Sequence, residues 1–192
     1  MTAITVLRPD RHGGSAESGP RVSLAPREAL ADGAVLTLID NGKTHARPVL
    51  ELIGEELRQR LPQISSVEFV AKSSAGKTIS EAVAAGIAAR STLAVAALGD
   101  CGACSSCSAL DAVTLERHGV PSAVVITEPF VGLVERFSAM AGMPGYPPVL
   151  LPHPIASRSD EELRALVAGI ADQLVAQLTA AAREAALAAA GR

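Results

Sequence analysis

From residue 33 onward, short apolar runs alternate with longer amphipathic segments. This alternation limits the possible folds more than any other feature of the 192-residue chain. The runs are AVLTLI (34–39), VEFVA (67–71), TLAVAAL (92–98), SAVVIT (122–127) and PVLLP (148–152). Several are apolar throughout, as strands covered on both faces must be. Helices are expected between them, at about 45–61, 79–90, 104–118 and 130–141. Ser80 or Thr78 can cap the second of these, and Gly119 followed by Pro121 stops the third. Strand and helix in regular turn imply a parallel sheet with right-handed crossovers.

After the last run, Asp160 to about Ala189 reads as a long Ala-rich helix, with room for a break. Leu163, Leu166, Val167, Ile170, Leu174, Val175 and Leu178 fall on one stripe, which should lie on the sheet. Its second half reads equally as a solvent helix or as a contact for a second copy or a partner subunit. Residues 1–30, rich in Gly, Pro, Ser and Arg, read as an extended arm, and 31–192 as one α/β domain. The length suits one domain that needs no disulfide staples. With one Tyr, three Phe and no Trp, the core must be built from Ala, Val, Leu and Ile. The expected fold is a single-domain Rossmann-like three-layer sandwich. It has a mainly parallel sheet of about five strands and a long C-terminal helix.

The net charge of −3 comes with no long basic run and no cluster of aromatic and basic residues, which argues against nucleic acid as a partner. No apolar stretch reaches the roughly 18 residues a membrane span needs. The start, MTAITVLRPDRHGG, lacks the apolar core of a secretory signal. A cytoplasmic location is therefore expected. There the three cysteines would be reduced and reactive, or metal-bound, rather than structural disulfides.

In an open parallel sheet, ligands bind beyond the carboxyl ends of the strands. The loops there read DNGKTH (40–45), KSSAGKT (72–78), GDCGACSSC (99–107), TEPF (127–130) and PHP (152–154), and they hold most of the unusual polar residues. Each opens a helix or nearly so, and offers free backbone N–H groups to an anion. Asn41, Lys43, Ser74, Lys77, Asp100, Gly102, Ser105 and Thr127 are the candidate substrate contacts. The loop SSAGKT imitates a phosphate-binding P-loop, but Ala71 stands where that pattern needs its first glycine. A milder role is contact with a small anion, such as a substrate carboxylate, through Ser73, Ser74 and Lys77. The bland alternative is a solvated loop.

Cys101, Cys104 and Cys107 are all the cysteines of the chain. Cys101 falls just past the third strand, and Cys104 on the first turn of the following helix. A thiolate at a helix N-terminus is stabilised by the dipole and by unpaired N–H groups. The i, i+3 spacing lets Cys104 resolve a mixed disulfide formed on Cys101. Three other readings compete. The even spacing opens a ferredoxin-like iron–sulfur motif, whose fourth ligand position holds Asp111 rather than cysteine. Cys101 with His153 and Glu128 would make a cysteine hydrolase. The third reading treats the cysteines as small buried hydrophobes, which suits Cys107 best.

His153 lies between two prolines after the last run. It is either a rigid corner or a proton carrier facing Cys101. Glu128 could orient His153, bind a substrate amine, or only complement the next helix dipole. His118 reads as a helix-end surface residue, and His45 and His12 are weak candidates.

The run GDCGACSSCSALDAVTLERHGVPSAVVITEPF (99–130) resembles the UGSC family, named for a Sec-Gly-Ser-Cys motif whose first position is selenocysteine or cysteine. It is also similar to the selenocysteine segment of the B subunit of glycine, sarcosine and betaine reductases. DNGK (40–43) and PHP (152–154) extend the likeness over about residues 34–158. The resemblance implies that Cys101 is the nucleophile, Cys104 its resolving thiol and Cys107 an uncertain third. It implies a reductase or transferase acting on a small polar, carboxylate-bearing substrate, with a thiol reductant as partner. No cofactor is expected, and the alternative from another class is a non-catalytic ligand-binding subunit of a larger complex. The chain has sulfur where those reductases have selenium, and it lacks most of their length.

Overall fold

The computed structural model describes residues 21–179. The elements are β1 (Ala34–Asp40), α1 (Ala46–Arg60), β2 (Ile64–Ala71), α2 (Glu81–Ala88), β3 (Leu93–Gly99) and α3 (Gly102–Arg117). They are followed by β4 (Ser122–Thr127), a 3-10 turn (Glu128–Phe130), α4 (Val131–Met140), β5 (Val149–Leu151) and α5 (Asp160–Leu178). Every strand pairing is parallel, and the order across the sheet is β2-β1-β3-β4-β5. The chain therefore winds outward from β1 to β2, returns across β1, and continues from β3 to the other edge. This reversal between β1 and β3 is the switch point of a doubly wound, Rossmann-like sheet, where the loops part and leave a crevice. The Asn41 and Cys101 loops flank it.

Alternation within each strand sends its side chains to two different cores. Leu36, Leu38, Val95, Val125 and Val149 meet α1 and α5 on one face. Ile39, Ala94 and Ala96 meet α2 and α3 on the other, where Val124 and Ile126 pack with α3 and α4. The expected α5 stripe is observed. Leu163, Val167, Ile170, Leu174 and Leu178 are buried against the sheet, and Leu166 and Val175 flank them. Removing such side chains from water is worth about 1.5–3 kcal/mol each, so packing outweighs helix propensity here. Ser159 caps α5, accepting the Glu162 N–H, while the Glu162 carboxylate accepts the Ser159 N–H.

α3 has no apolar stripe, because it is enclosed on almost every side. Its buried set includes Ser105, Ser106, Ser108, Asp111 and Glu116 beside Ala109, Ala112 and Val113. Each charged member is paired. Asp111 meets Lys72, and Glu116 meets Arg27. The second pair pins the lead-in to the sheet. Arg27 donates to both Glu116 oxygens at 2.5 and 2.7 Å, and the same carboxylate accepts the Ala25 and Ser122 N–H groups at 2.6 and 2.8 Å. Val22 N–H adds a bond to Gly142 O at 2.8 Å. Residues 21–30 carry no helix or strand, as expected of the arm, yet they are held by these bonds.

Two boundaries differ most from expectation. β2 starts at Ile64, three residues earlier than the apolar run, because at a sheet edge Ser65 and Ser66 need no apolar cover. α5 ends at Leu178, where Thr179 turns extended (φ −124, ψ 153), so the break falls earlier than Ala189. The segment 180–192, with its expected interface, and residues 1–20 with His12 lie outside the described residues. Among the described residues, no helix is long and apolar enough to cross a membrane.

Candidate functional site

Cys101 is the N-cap of α3, in extended conformation (φ −157, ψ 167), and its Sγ accepts the Cys104 N–H at 3.3 Å. The Cys101 and Cys104 sulfurs are joined as a disulfide, with the Cα atoms 5.3 Å apart. The cap also brings the sulfur to the positive end of the helix dipole, where a thiolate formed on reduction would be stabilised. Ser105 fixes this turn. Its N–H and its hydroxyl both donate to Cys101 O, at 3.0 and 2.7 Å. Gly99, the last residue of β3, makes the approach possible. A Cβ there would lie 2.5 Å from Ile126 Cγ2 and 2.7 Å from Ser105 Oγ. Gly102 occupies the first position of α3.

Beside this loop, three chain segments meet at one imidazole. His153 Nδ1 lies 3.0 Å from Asp100 Oδ1 and 3.1 Å from Thr127 Oγ1. Thr127 Oγ1 is in turn 3.2 Å from Gly99 O and 3.3 Å from Asp100 Oδ1. The Phe130 ring stands edge-on to the imidazole at 5.8 Å. Asp100 and Thr127, expected to contact substrate, thus contact His153, and Asp100 occupies the orienting place expected of Glu128. Glu128 is exposed on the 3-10 turn, and its side chain makes no hydrogen bond or ion pair among the described residues. The chain leaves the sheet here, since Thr127 is the last, buried residue of β4 and Glu128 opens the exposed 3-10 turn.

Asn41, 2 % exposed, is a clasp across the switch point. Its amide donates to Leu98 O at 2.8 Å and Ser108 Oγ at 3.3 Å, and its Oδ1 accepts the Lys43 N–H at 3.2 Å. Both amide hydrogens are engaged. The Lys43 side chain makes no ion pair among the described residues. His45, at the start of α1, bonds Ala156 O at 3.1 Å, and His118 bonds Glu81 at 2.8 Å.

Ser74 and Lys77 are not brought to the cysteines. They line a separate cavity of about 260 Å³ with Lys72, Ser73, Thr78 and Ser80, and no residue of the cysteine loop lines it. β1 lies between β2 and β3, which sets their ends about 10 Å apart.

Cys107 is half-buried, one turn from Cys104. Burial pushes its thiol up, against the pull of the Lys72 ammonium. Burial also pushes the Asp111 carboxyl up, and its hydrogen bond with Lys72 draws it partly back. Asp111 accepts the Ile79 N–H at 2.7 Å as well. The position of a fourth iron–sulfur ligand is thus filled by an engaged carboxylate. Among the described residues, no group of three or more His, Cys, Asp or Glu could hold a metal ion. The Lys72–Asp111 pair was missed in the sequence because its members sit on different elements, with only the polarity of Asp111 inside an otherwise buried helix to hint at it.

A family model described as the UGSC family matches residues 5–180. No curated protein sequence matches the chain. Among solved structures, the chain is similar to a diflavin flavoprotein A3 from Nostoc sp., with 14% identity and a TM-score of 0.42, covering 77% of this chain and 96% of that one. It is also similar to the flavodoxin-like domain of a Synechococcus sp. protein, with 13% identity and a TM-score of 0.39, covering 74% and 99%.

Proposed function

The chain belongs to the UGSC family, and we propose that it is a thiol-dependent reductase with Cys101 as nucleophile and Cys104 as resolving thiol. The observation that carries this reading is the bonded Cys101–Cys104 pair at the N-terminus of α3. The substrate class is a small carboxylate-bearing molecule with a leaving group on the carbon next to a carbonyl. In the first step the Cys101 thiolate attacks that carbon. A carbon–sulfur bond forms, and the leaving group departs with its electron pair and takes a proton. In the second step the Cys104 thiolate attacks Cys101 Sγ. The disulfide forms, and the carbon leaves as an enolate that is then protonated. The carbon gains two electrons and the two thiols lose them. An external dithiol reduces the disulfide and closes the cycle. His153, held against Asp100 and Thr127 at this edge, is the group suited to carry protons.

Bromopyruvate is a suitable probe. With the reduced Cys104→Ser variant, intact-mass spectrometry should show one adduct, located on Cys101. Reduced wild type should instead yield pyruvate, bromide and the disulfide, and should turn over when dithiothreitol is supplied. If Cys101 is captured no faster than an ordinary free thiol at neutral pH, or wild type stops at the adduct, the proposal fails.

A further inference from the structure

The surroundings of His153 decide which ring nitrogen carries its hydrogen. Nδ1 faces two oxygens, Asp100 Oδ1 at 3.0 Å and Thr127 Oγ1 at 3.1 Å. An ionised carboxylate only accepts, and so does the Gly99 carbonyl, 3.2 Å from Thr127 Oγ1. The Thr127 hydroxyl has one hydrogen to give. If it donates to Gly99 O or to Asp100 Oδ1, it turns a lone pair towards Nδ1. With hydrogen on Nδ1, every group in this set then finds a partner. The opposite arrangement would set a bare Nδ1 lone pair against a carboxylate oxygen. It would also draw the Thr127 hydrogen away from the buried Gly99 carbonyl.

We propose that Asp100 and Thr127 are positioning residues that hold neutral His153 as the Nδ1–H tautomer. The Nε2 lone pair is thereby kept outward at the carboxyl edge. The His153 side chain is 38% exposed, and Nε2 makes no hydrogen bond among the described residues. Asp100 precedes Cys101 directly, so the same short segment sets the imidazole and the nucleophile. Without the lock, the hydrogen would sit on Nε2 in the larger share of molecules, as in free histidine, and the outward nitrogen could not accept a proton. The use of Nε2 as proton acceptor in the thiol cycle rests on the function proposed above. The tautomer itself does not.

Long-range ¹H–¹⁵N NMR of the full chain reads this directly. The spectrum is taken at mildly alkaline pH, and His153 is assigned by its loss in His153→Gln. Wild type should show a pyrrole-like Nδ1 and a pyridine-like Nε2. The double variant Asp100→Asn with Thr127→Val should exchange the two patterns, while Thr127→Ser should keep the wild-type one. A wild-type spectrum with hydrogen on Nε2 overturns the proposal even if the variants fail to fold. An unchanged pattern in a folded double variant overturns it as well. Cys101→Ser should leave the tautomer intact. Failure of bromopyruvate capture with this spectrum as expected would therefore remove the thiol cycle and leave the lock standing.

Discussion

Lys72 and Asp111 form an ion pair sealed from water, their side chains 3% and 0% exposed. Removing one partner of such a pair strands the other charge and typically costs about 3–5 kcal/mol. Lys72→Met should therefore be destabilised by about that amount at neutral pH. The deficit should depend on pH. Burial already holds the Asp111 carboxyl above its ordinary value, and without Lys72 nothing of comparable strength draws it down. A carboxyl raised in the fold favours folding below its unfolded value, and this contribution is lost as pH rises through the folded value. The deficit should thus shrink as pH falls and the carboxyl takes up its proton. Urea unfolding across the acid range checks this, and a deficit constant with pH would contradict it.

The Arg27–Glu116 pair predicts that a residue in the irregular lead-in matters as much as one in the core. The Glu116 carboxylate accepts four hydrogen bonds, two from Arg27 and two from backbone. Glu116→Gln keeps the shape, removes the charge and leaves the guanidinium buried without a counterion. A loss of about 3–5 kcal/mol is expected in denaturant unfolding. A loss under about 1 kcal/mol would place the pair with exposed ion pairs instead.

In the reduced protein, iodoacetamide should separate the thiols. Cys107 is half-buried, and its thiol is pushed up by burial. Less of it is thiolate at neutral pH, so it should label more slowly than an unhindered thiol. Its rate should climb into the alkaline range. Lys72→Met removes the ammonium that eases this shift and should slow Cys107 further. Peptide mass spectrometry resolves the site, and rapid neutral labelling of Cys107 would refute the argument.

At Gly99 even a methyl group has no room, since Ile126 and Ser105 stand within contact of the Cβ position. Gly99→Ala should cost about 1–3 kcal/mol through overpacking. It should also slow bromopyruvate capture at Cys101, because Ser105 bonds the Cys101 carbonyl. Thermal unfolding and capture rates test the two effects separately. A variant with wild-type stability would show that β3 and β4 shift freely here.

Periodicity made the strands and helices legible in the sequence, because each strand is covered on both faces by helices spaced along the chain. The place of Cys101 just past a strand end was legible too, but not its capping of the helix, which begins at Gly102 rather than near 104. The Asp100–His153 contact was not, since topology alone brings the ends of β3 and β5 to opposite sides of Thr127. Glu128 fits the same role by residue type, but it falls past the end of β4, on the exposed 3-10 turn. Ser74 and Lys77 had the right residue types, but β1 stands between their strand and the cysteines. α3 hid its orientation because burial on nearly all sides leaves no stripe to read.

The clasp between Arg27 and Glu116 bears on how the protein can be shortened or tagged. The repeating pattern begins near residue 33, which invites a clone starting at residue 31. Such a clone would lack Arg27 and the Ala25 N–H, leaving Glu116 with only the Ser122 N–H of its four hydrogen bonds, at the far end of the helix that carries the cysteines. Fusions and truncations that keep the chain from Val22 onward preserve both that clasp and the Val22–Gly142 bond.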